Sequence, residues 1–498
     1  MRIARPELIA GLCALIAIAG CAAANTGTTS TSTSTSTSTS TSTTAAASTT
    51  NTLASLHAYT NPTGDVATYI SAGSLDLTTP FFQSLGTNGR TCNTCHQPAQ
   101  GMSVNVTAIQ ALFASSGGAD PLFAPIDGAN CPSGATGNTA AHSLLLNNGL
   151  FRIAITLPAT AQFKLTVLSD PYGCAVSVNS SGQQVVSVYR RPLAATSVNY
   201  LSAVMWDTRE TVSSLATAST FQANLAGDLS QQAIDATTNH AQATTNPTAA
   251  QLASIIDLEQ GIYTAQFDDT LAGSLSANGA TGGPANLAAV NYYPGINDSL
   301  GNDPTGAPFN PQSMSLYKAW ANSTNTQQAS IARGQNIFNT APLTITNAPG
   351  IAGTVPHASC SFCHDTPNIG SRSVNVPIDT GTAHNAAAEA DPNVIAGLAA
   401  LSVPSLPVYQ ITGCTNPVTH LPVTYTTSDP GLGLFSGLCS DISRTQAPSL
   451  RGLAARAPYF HGGSAASLAQ VVAFYNARFQ MNLNPGQQAD LVNFLNAL

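Results

Sequence analysis

Two short stretches carry residues whose types and spacing can do chemistry: Cys92-Asn93-Thr94-Cys95-His96 and Cys360-Ser361-Phe362-Cys363-His364, both C-x-x-C-H. Thiols separated by two residues reach the two vinyl groups on one edge of a haem, and the adjacent histidine then lies beneath the iron, which is the attachment pattern of haem c. Placing 10 cysteines and 9 histidines at random in 498 residues would give roughly 0.004 such patterns. A zinc ribbon needs its cysteine pairs closer in the chain, and a redox dithiol needs no histidine. The pattern therefore predicts two covalently attached haem c groups, with thioether positions at Cys92, Cys95, Cys360 and Cys363 and iron ligands His96 and His364.

The elements that must position these motifs read as mostly helical. Thr79 followed by Pro80 suggests a short capped helix before the first motif, and Ile331 to Phe338 reads as a helix before the second. Leu468, Val471, Val472 and Tyr475 lie on one helical face. Asn484 followed by Pro485 starts a last helix that turns Leu491, Val492, Leu495 and Leu498 inward. Alternation at Phe151 to Leu157, Phe163 to Val167 and Val186 to Val188 reads as short strands. Composition and periodicity thus predict a mainly α fold of two haem domains, with a small β insert in the first. Cys131 with Cys174, and Cys414 with Cys439, is one of three pairings open to these four cysteines.

Charged residues are 8% of the chain and the net charge is −8, with no basic stripe, which excludes nucleic-acid binding. Arg2 and Arg5, an apolar run from Leu8 to Ala19 and small residues before Cys21 read as an export signal. Cys21 at the cleavage point resembles the acylated cysteine of bacterial lipoproteins, and Ala22 after it implies the outer membrane; a cleaved signal with an incidental cysteine is the plainer alternative. Either way the mature chain works on the periplasmic side of the envelope, touching membrane only through the anchor. Residues 22–56, with their Thr-Ser repeat, read as a disordered tether after the 1–21 signal. Two domains follow, 57–325 and 326–498.

The stretch Ala447-Pro448-Ser449-Leu450-Arg451, then Ala457-Pro458-Tyr459-Phe460-His461 and a helix, together with Arg190-Arg191-Pro192 to Asn199 and Met205-Trp206-Asp207-Thr208-Arg209, resembles the bacterial di-haem cytochrome c peroxidase superfamily over most of residues 78–498. The resemblance implies two haem domains packed around a shared interface. It implies a relay role for Trp206, whose plainer reading is a core aromatic, and a calcium ion between the haems held by Asn199, Arg456 and Pro458. Tyr475 matches the sixth-ligand position at which the quinone-forming (MauG-like) branch carries tyrosine in place of methionine; Met481 is an off-register substitute. A distal histidine is missing near Leu112, which leaves the first haem open or closed by His142. The family's catalytic glutamate has no counterpart. Aligning Gln232 with the family's glutamine puts Gln242 at that position, and His240 nearby could carry the proton instead.

The implied function is peroxide reduction at the first haem, with electrons relayed through the second haem and Trp206. Its partners would be hydrogen peroxide or another small oxidant and an electron donor or oxidisable substrate. The alternatives are an electron-transfer cytochrome without catalysis, which the missing glutamate favours, and peroxide-dependent oxidation of an organic or protein substrate, which Tyr475 favours.

Overall fold

Oxygen-bearing side chains start the helices around the second motif. In the computed structural model, which describes residues 51–211, 220–416 and 420–498, Asn325 caps Thr326–Thr340 through the amides of Gln327 and Gln328. Ser467 caps Leu468–Arg478, and Asn484 and Gln487 cap Pro485–Asn496 reciprocally. The apolar faces of these helices meet in one core around Ile331, Phe338, Val472, Leu491 and Phe494. Thr326–Thr340 and Pro485–Asn496 touch at Gly334, where a Cβ would stand 2.0 Å from the carbonyl oxygen of Asp490.

The fold is not mainly α. Helix makes up 31% and strand 18% of it, and the strands form several small sheets of antiparallel pairs. In a four-stranded sheet ordered Gly273–Ser274, Ile262–Asp269, Gly64–Ile70, Ala58–Asn61, the two middle strands come from distant parts of the chain. Lys164–Ser169, read from sequence as part of a local insert, pairs instead with Val408–Thr415, which in turn pairs with Pro422–Thr427. A strand whose partner is hundreds of residues away leaves only a short alternation in the sequence, and local periodicity then undercounts sheet.

Before the first motif the expected helix shortens to a 3₁₀ turn, Pro80–Phe82, without a side-chain cap from Thr79; the Thr79 hydroxyl donates instead to the Asp76 carbonyl at 3.0 Å. Disulfides join Cys131 to Cys174 and Cys414 to Cys439. Residues 50–498 form one compact unit. The export signal, Cys21 and the tether up to residue 50 lie outside the described residues, as do 212–219 and 417–419. Thr52–Ala54, at the end of the tether span, pairs with Ser74–Asp76. Among the described residues no helix is long and apolar enough to cross a membrane.

Candidate functional site: two matching motifs and their surroundings

The two motifs fold alike although their flanks differ. Cys92–Cys95 is a helical turn capped by Thr91, and Cys360–Phe362 is a 3₁₀ turn. The His96 amide donates to the Cys92 carbonyl at 3.0 Å and the His364 amide to the Cys360 carbonyl at 3.1 Å. In each, the ring Nδ1 faces the backbone carbonyl six residues on, Met102 at 3.2 Å and Gly370 at 2.6 Å. Met102 and Gly370 both sit in the left-handed region, with φ of 59° and 75°. A carbonyl at Nδ1 fixes the proton there and leaves the Nε2 lone pair for a metal. Burial, the largest cause, holds both imidazoles down at about 4, so they stay neutral at physiological pH.

The four motif thiols are unpaired, whereas the other four cysteines of the described residues are in disulfides. Burial raises the thiols to about 12 for Cys92, Cys95 and Cys360 and about 11 for Cys363. Among the described residues no three His, Cys, Asp or Glu side chains gather as a bare metal-ion site. Free, half-buried, neutral thiols beside a histidine with one nitrogen fixed are the donor set that covalent haem requires, and the residues present fit it.

Cys92 packs against a core of Phe81, Met102, Ile255 and Leu258. Cys95 packs against a second one with Leu122 and Phe123, which Leu112 also joins. Beside them the buried Asp127 carboxylate takes Arg90 on one oxygen and Nδ1 of His240 on the other. Burial alone would raise Asp127, but the hydrogen bonds and charges of His240 and Arg90 outweigh it and lower its pKa. His240 ends a π-helical turn, Ala236–His240, a rare local form that recurs at functional sites. Its charge contributes, after burial, to the lowering of His96, which places it within electrostatic reach of the first motif.

His142 does not close the first site: it is fully buried, with Nδ1 2.9 Å from the Asn138 carbonyl and Nε2 3.0 Å from the Phe123 carbonyl. Gln242 is exposed with φ 55°. Asn88 links it to the neighbouring turn, donating to Gln242 Oε1 at 3.2 Å and to the His240 carbonyl at 2.8 Å. Gln232 is half-buried on the helix Phe221–Asp235. One group escaped the sequence reading. Glu259 is buried, Oε2 has no partner, and burial raises its carboxyl to about 8; its charge acts on Cys92. Nothing in the string Asp257-Leu258-Glu259-Gln260 distinguishes it from a surface acid.

The second motif opens into a cavity of about 220 Å³ lined by Cys360, Cys363, His364, Trp206, Tyr475 and Met481, among others. The Trp206 indole donates to the Arg191 carbonyl at 2.8 Å and its ring lies 6.0 Å from that of His461. Tyr475 sits in an aromatic cluster with Phe460, Phe474 and Phe479. Burial first, and then the Cys363 and Cys360 thiols, raise its phenol.

One oxygen of the expected calcium set is taken by the protein itself. The Arg456 carbonyl accepts from Arg191 Nη2 at 2.9 Å, and the two guanidiniums are close enough that the Arg456 charge adds to burial in lowering Arg191. Asn199 keeps a buried, unpartnered Oδ1, while its amide nitrogen is held by the Gln260 carbonyl and the Tyr263 hydroxyl.

The chain has likenesses among solved structures. It is similar to a solved structure of a MauG-like protein associated with microbial copper homeostasis, at 16% identity and a TM-score of 0.31, over 66% of this chain and 77% of that one. No protein-family model matches, and no curated protein matches. A likeness this loose leaves the functional reading with the residues themselves.

Proposed function

We propose that this chain is a di-haem c-type oxidoreductase of the cytochrome c peroxidase kind, reducing peroxide at the N-terminal motif with electrons arriving through the C-terminal one. The observation that carries the reading is the shared geometry of the two C-x-x-C-H turns, each with free, half-buried thiols and a neutral histidine fixed at Nδ1. A haem at each motif supplies a one-electron redox centre and, where one face is open, a place for peroxide to bind.

The chain's own groups divide the remaining work. Reducing peroxide to two waters consumes two electrons and two protons, and cleaving the O–O bond requires a proton moved from the near oxygen to the far one. His240 holds Nε2 free for this transfer while Asp127 fixes its Nδ1 proton and Arg90 keeps Asp127 charged. Trp206, held by the Arg191 carbonyl in the wall of the second cavity, is placed for electron relay. Tyr475, in the same cavity, is the proposed sixth ligand; a phenolate there favours ferric iron. The two disulfides support a site of action outside the cytoplasm, with Cys21 as the proposed lipid anchor.

The test is haem stoichiometry by pyridine haemochrome, followed by electron paramagnetic resonance before and after peroxide. The expected result is two haems per chain, one of them high-spin and consumed by peroxide. Two low-spin haems unmoved by peroxide, even after partial reduction, would leave an electron carrier. Loss of the second haem's native signal in Tyr475→Phe would support the ligand.

A further inference from the structure

Arg191 is buried and Arg456 half-buried, and neither guanidinium meets a carboxylate. Arg191 donates to the carbonyls of Val104 at 2.5 Å, Arg456 at 2.9 Å and Gly149 at 3.4 Å. Arg456 donates to those of Arg451 at 2.5 Å, Gly452 at 3.1 Å and Ser449 at 3.5 Å. Among the described residues neither forms an ion pair, whereas the buried Arg90, Arg190 and Arg372 each do. Two like charges placed side by side out of water are costly unless an anion joins them.

The same two residues line the cavity of the second motif, together with Cys360, Cys363 and His364. They stand between that motif and the segment following the first: a Cβ on Gly101 would touch the Arg456 side chain at 3.4 Å, and Asn105 Nδ2 donates to the Ala455 carbonyl at 3.1 Å. A planar guanidinium pair at the edge of an apolar cavity is a receptor for carboxylates, which it binds through forked N–H donors.

We propose that Arg191 and Arg456 form a carboxylate-binding site whose ligand is the propionate side chains of the haem in the C-terminal cavity. The inference rests on the haem reading above. It assigns to the protein's own guanidiniums the positive charge between the motifs. A cation beside a haem carboxylate disfavours the more positive ferric state, so the pair raises that haem's reduction potential.

The experiment is a spectroelectrochemical titration of the holoprotein and of Arg456→Gln and Arg456→Lys, each with its haem stoichiometry. The expected result is two haems in all three proteins, a lower midpoint for one haem in the Gln variant and a midpoint restored toward the native value in the Lys variant. A Gln variant with the native midpoint would overturn the proposal. Should the Gln variant not fold, the resonance Raman propionate-bending band decides between native protein and the Lys variant, which keeps the charge but loses the fork: a shifted band supports the assignment and an identical band overturns it. The alternative source, a free small carboxylate, is read by titrating the native protein with acetate. A saturable spectral change that the Gln variant lacks, with unchanged midpoints, would give the site to a free ligand and overturn the propionate assignment. Absence of haem from the native protein would show in the stoichiometry alone and would remove the functional reading first.

Discussion

Asp127 gives His240 its direction, because a carboxylate on Nδ1 leaves Nε2 as the working nitrogen. His240→Gln should therefore lower peroxide turnover by about 10²–10⁴-fold, the usual worth of a positioned acid/base, with haem content unchanged. Asp127→Asn should lower it in the same direction and shift the pH profile, and a peroxidase assay across pH separates the two. Glu259 makes a different prediction. Its ordinary value is 4.5 and burial raises it to about 8. Between those values the unfolded chain releases the proton and the folded one keeps it. This group therefore subtracts stability as pH rises across that window, about 4–5 kcal/mol at its upper end. Glu259→Gln should flatten the fall in melting temperature between pH 5 and 8, measured by calorimetry. The two C-x-x-C-H motifs were legible because covalent attachment fixes residue identity and spacing. The dyad was half legible: His240 stood out, but Asp127 is far away in sequence and only folding brings the two together.

Helix Thr326–Thr340 shows how an element can invert a local rule. Glycine to alanine in a helix interior normally adds about 1 kcal/mol, yet at Gly334 the new Cβ would stand 2.0 Å from the Asp490 carbonyl oxygen. Gly334→Ala should instead destabilise by about 1–3 kcal/mol through overpacking, read as a lower urea midpoint. The segment 379–391 is held by a second local device. His384 lies between Asp379 at 2.7 Å and Glu389 at 2.5 Å. Burial opposes its charge, but the two carboxylates outweigh that and raise it to about 10, while Glu389 falls to about 2, chiefly through its hydrogen bond to His384. The His384 contribution is complete below its ordinary value of 6.5 and is lost as pH rises through 10; that of Glu389 is complete above its ordinary 4.5 and is lost as pH falls through 2. Amide exchange over 379–391, corrected for its intrinsic pH dependence, should thus be slowest between pH 4.5 and 6.5 and should accelerate as pH rises from 6.5 to about 10, and His384→Gln should remove that dependence. The capped helices were legible from Asn325, Ser467 and Asn484, because a cap and an apolar face are both local patterns. The strand partners of Lys164–Ser169 and Gly64–Ile70 were not, because hydrogen bonding between distant segments leaves no local spacing.

Across the whole molecule, contacts cross the 325/326 boundary repeatedly. Val408–Thr415 completes a sheet begun by Lys164–Ser169. Arg190 reaches Asp429 at 2.7 Å. The Leu498 carbonyl accepts from the Gln266 amide at 3.2 Å. Cys414–Cys439 closes a loop with a sequence separation of 25 residues beside this shared sheet. Replacing both with serine should cost about 3 kcal/mol on loop-entropy grounds and lower the melting temperature under oxidising conditions only. Under reducing conditions native and variant proteins should melt together, which differential scanning calorimetry with and without a reductant will show.

By itself the sequence determined the two C-x-x-C-H motifs, the start points of the helices around the second motif and the sparse, net acidic charge of the chain. Each depends on residue type and short spacing, which are written locally. Tertiary structure alone decided the mixed α/β architecture, the burial of Glu259, the pairing of Asp127 with His240 and the meeting of Arg191 with Arg456 where calcium was expected. Those depend on which distant segments lie side by side and on how far each charge is removed from water.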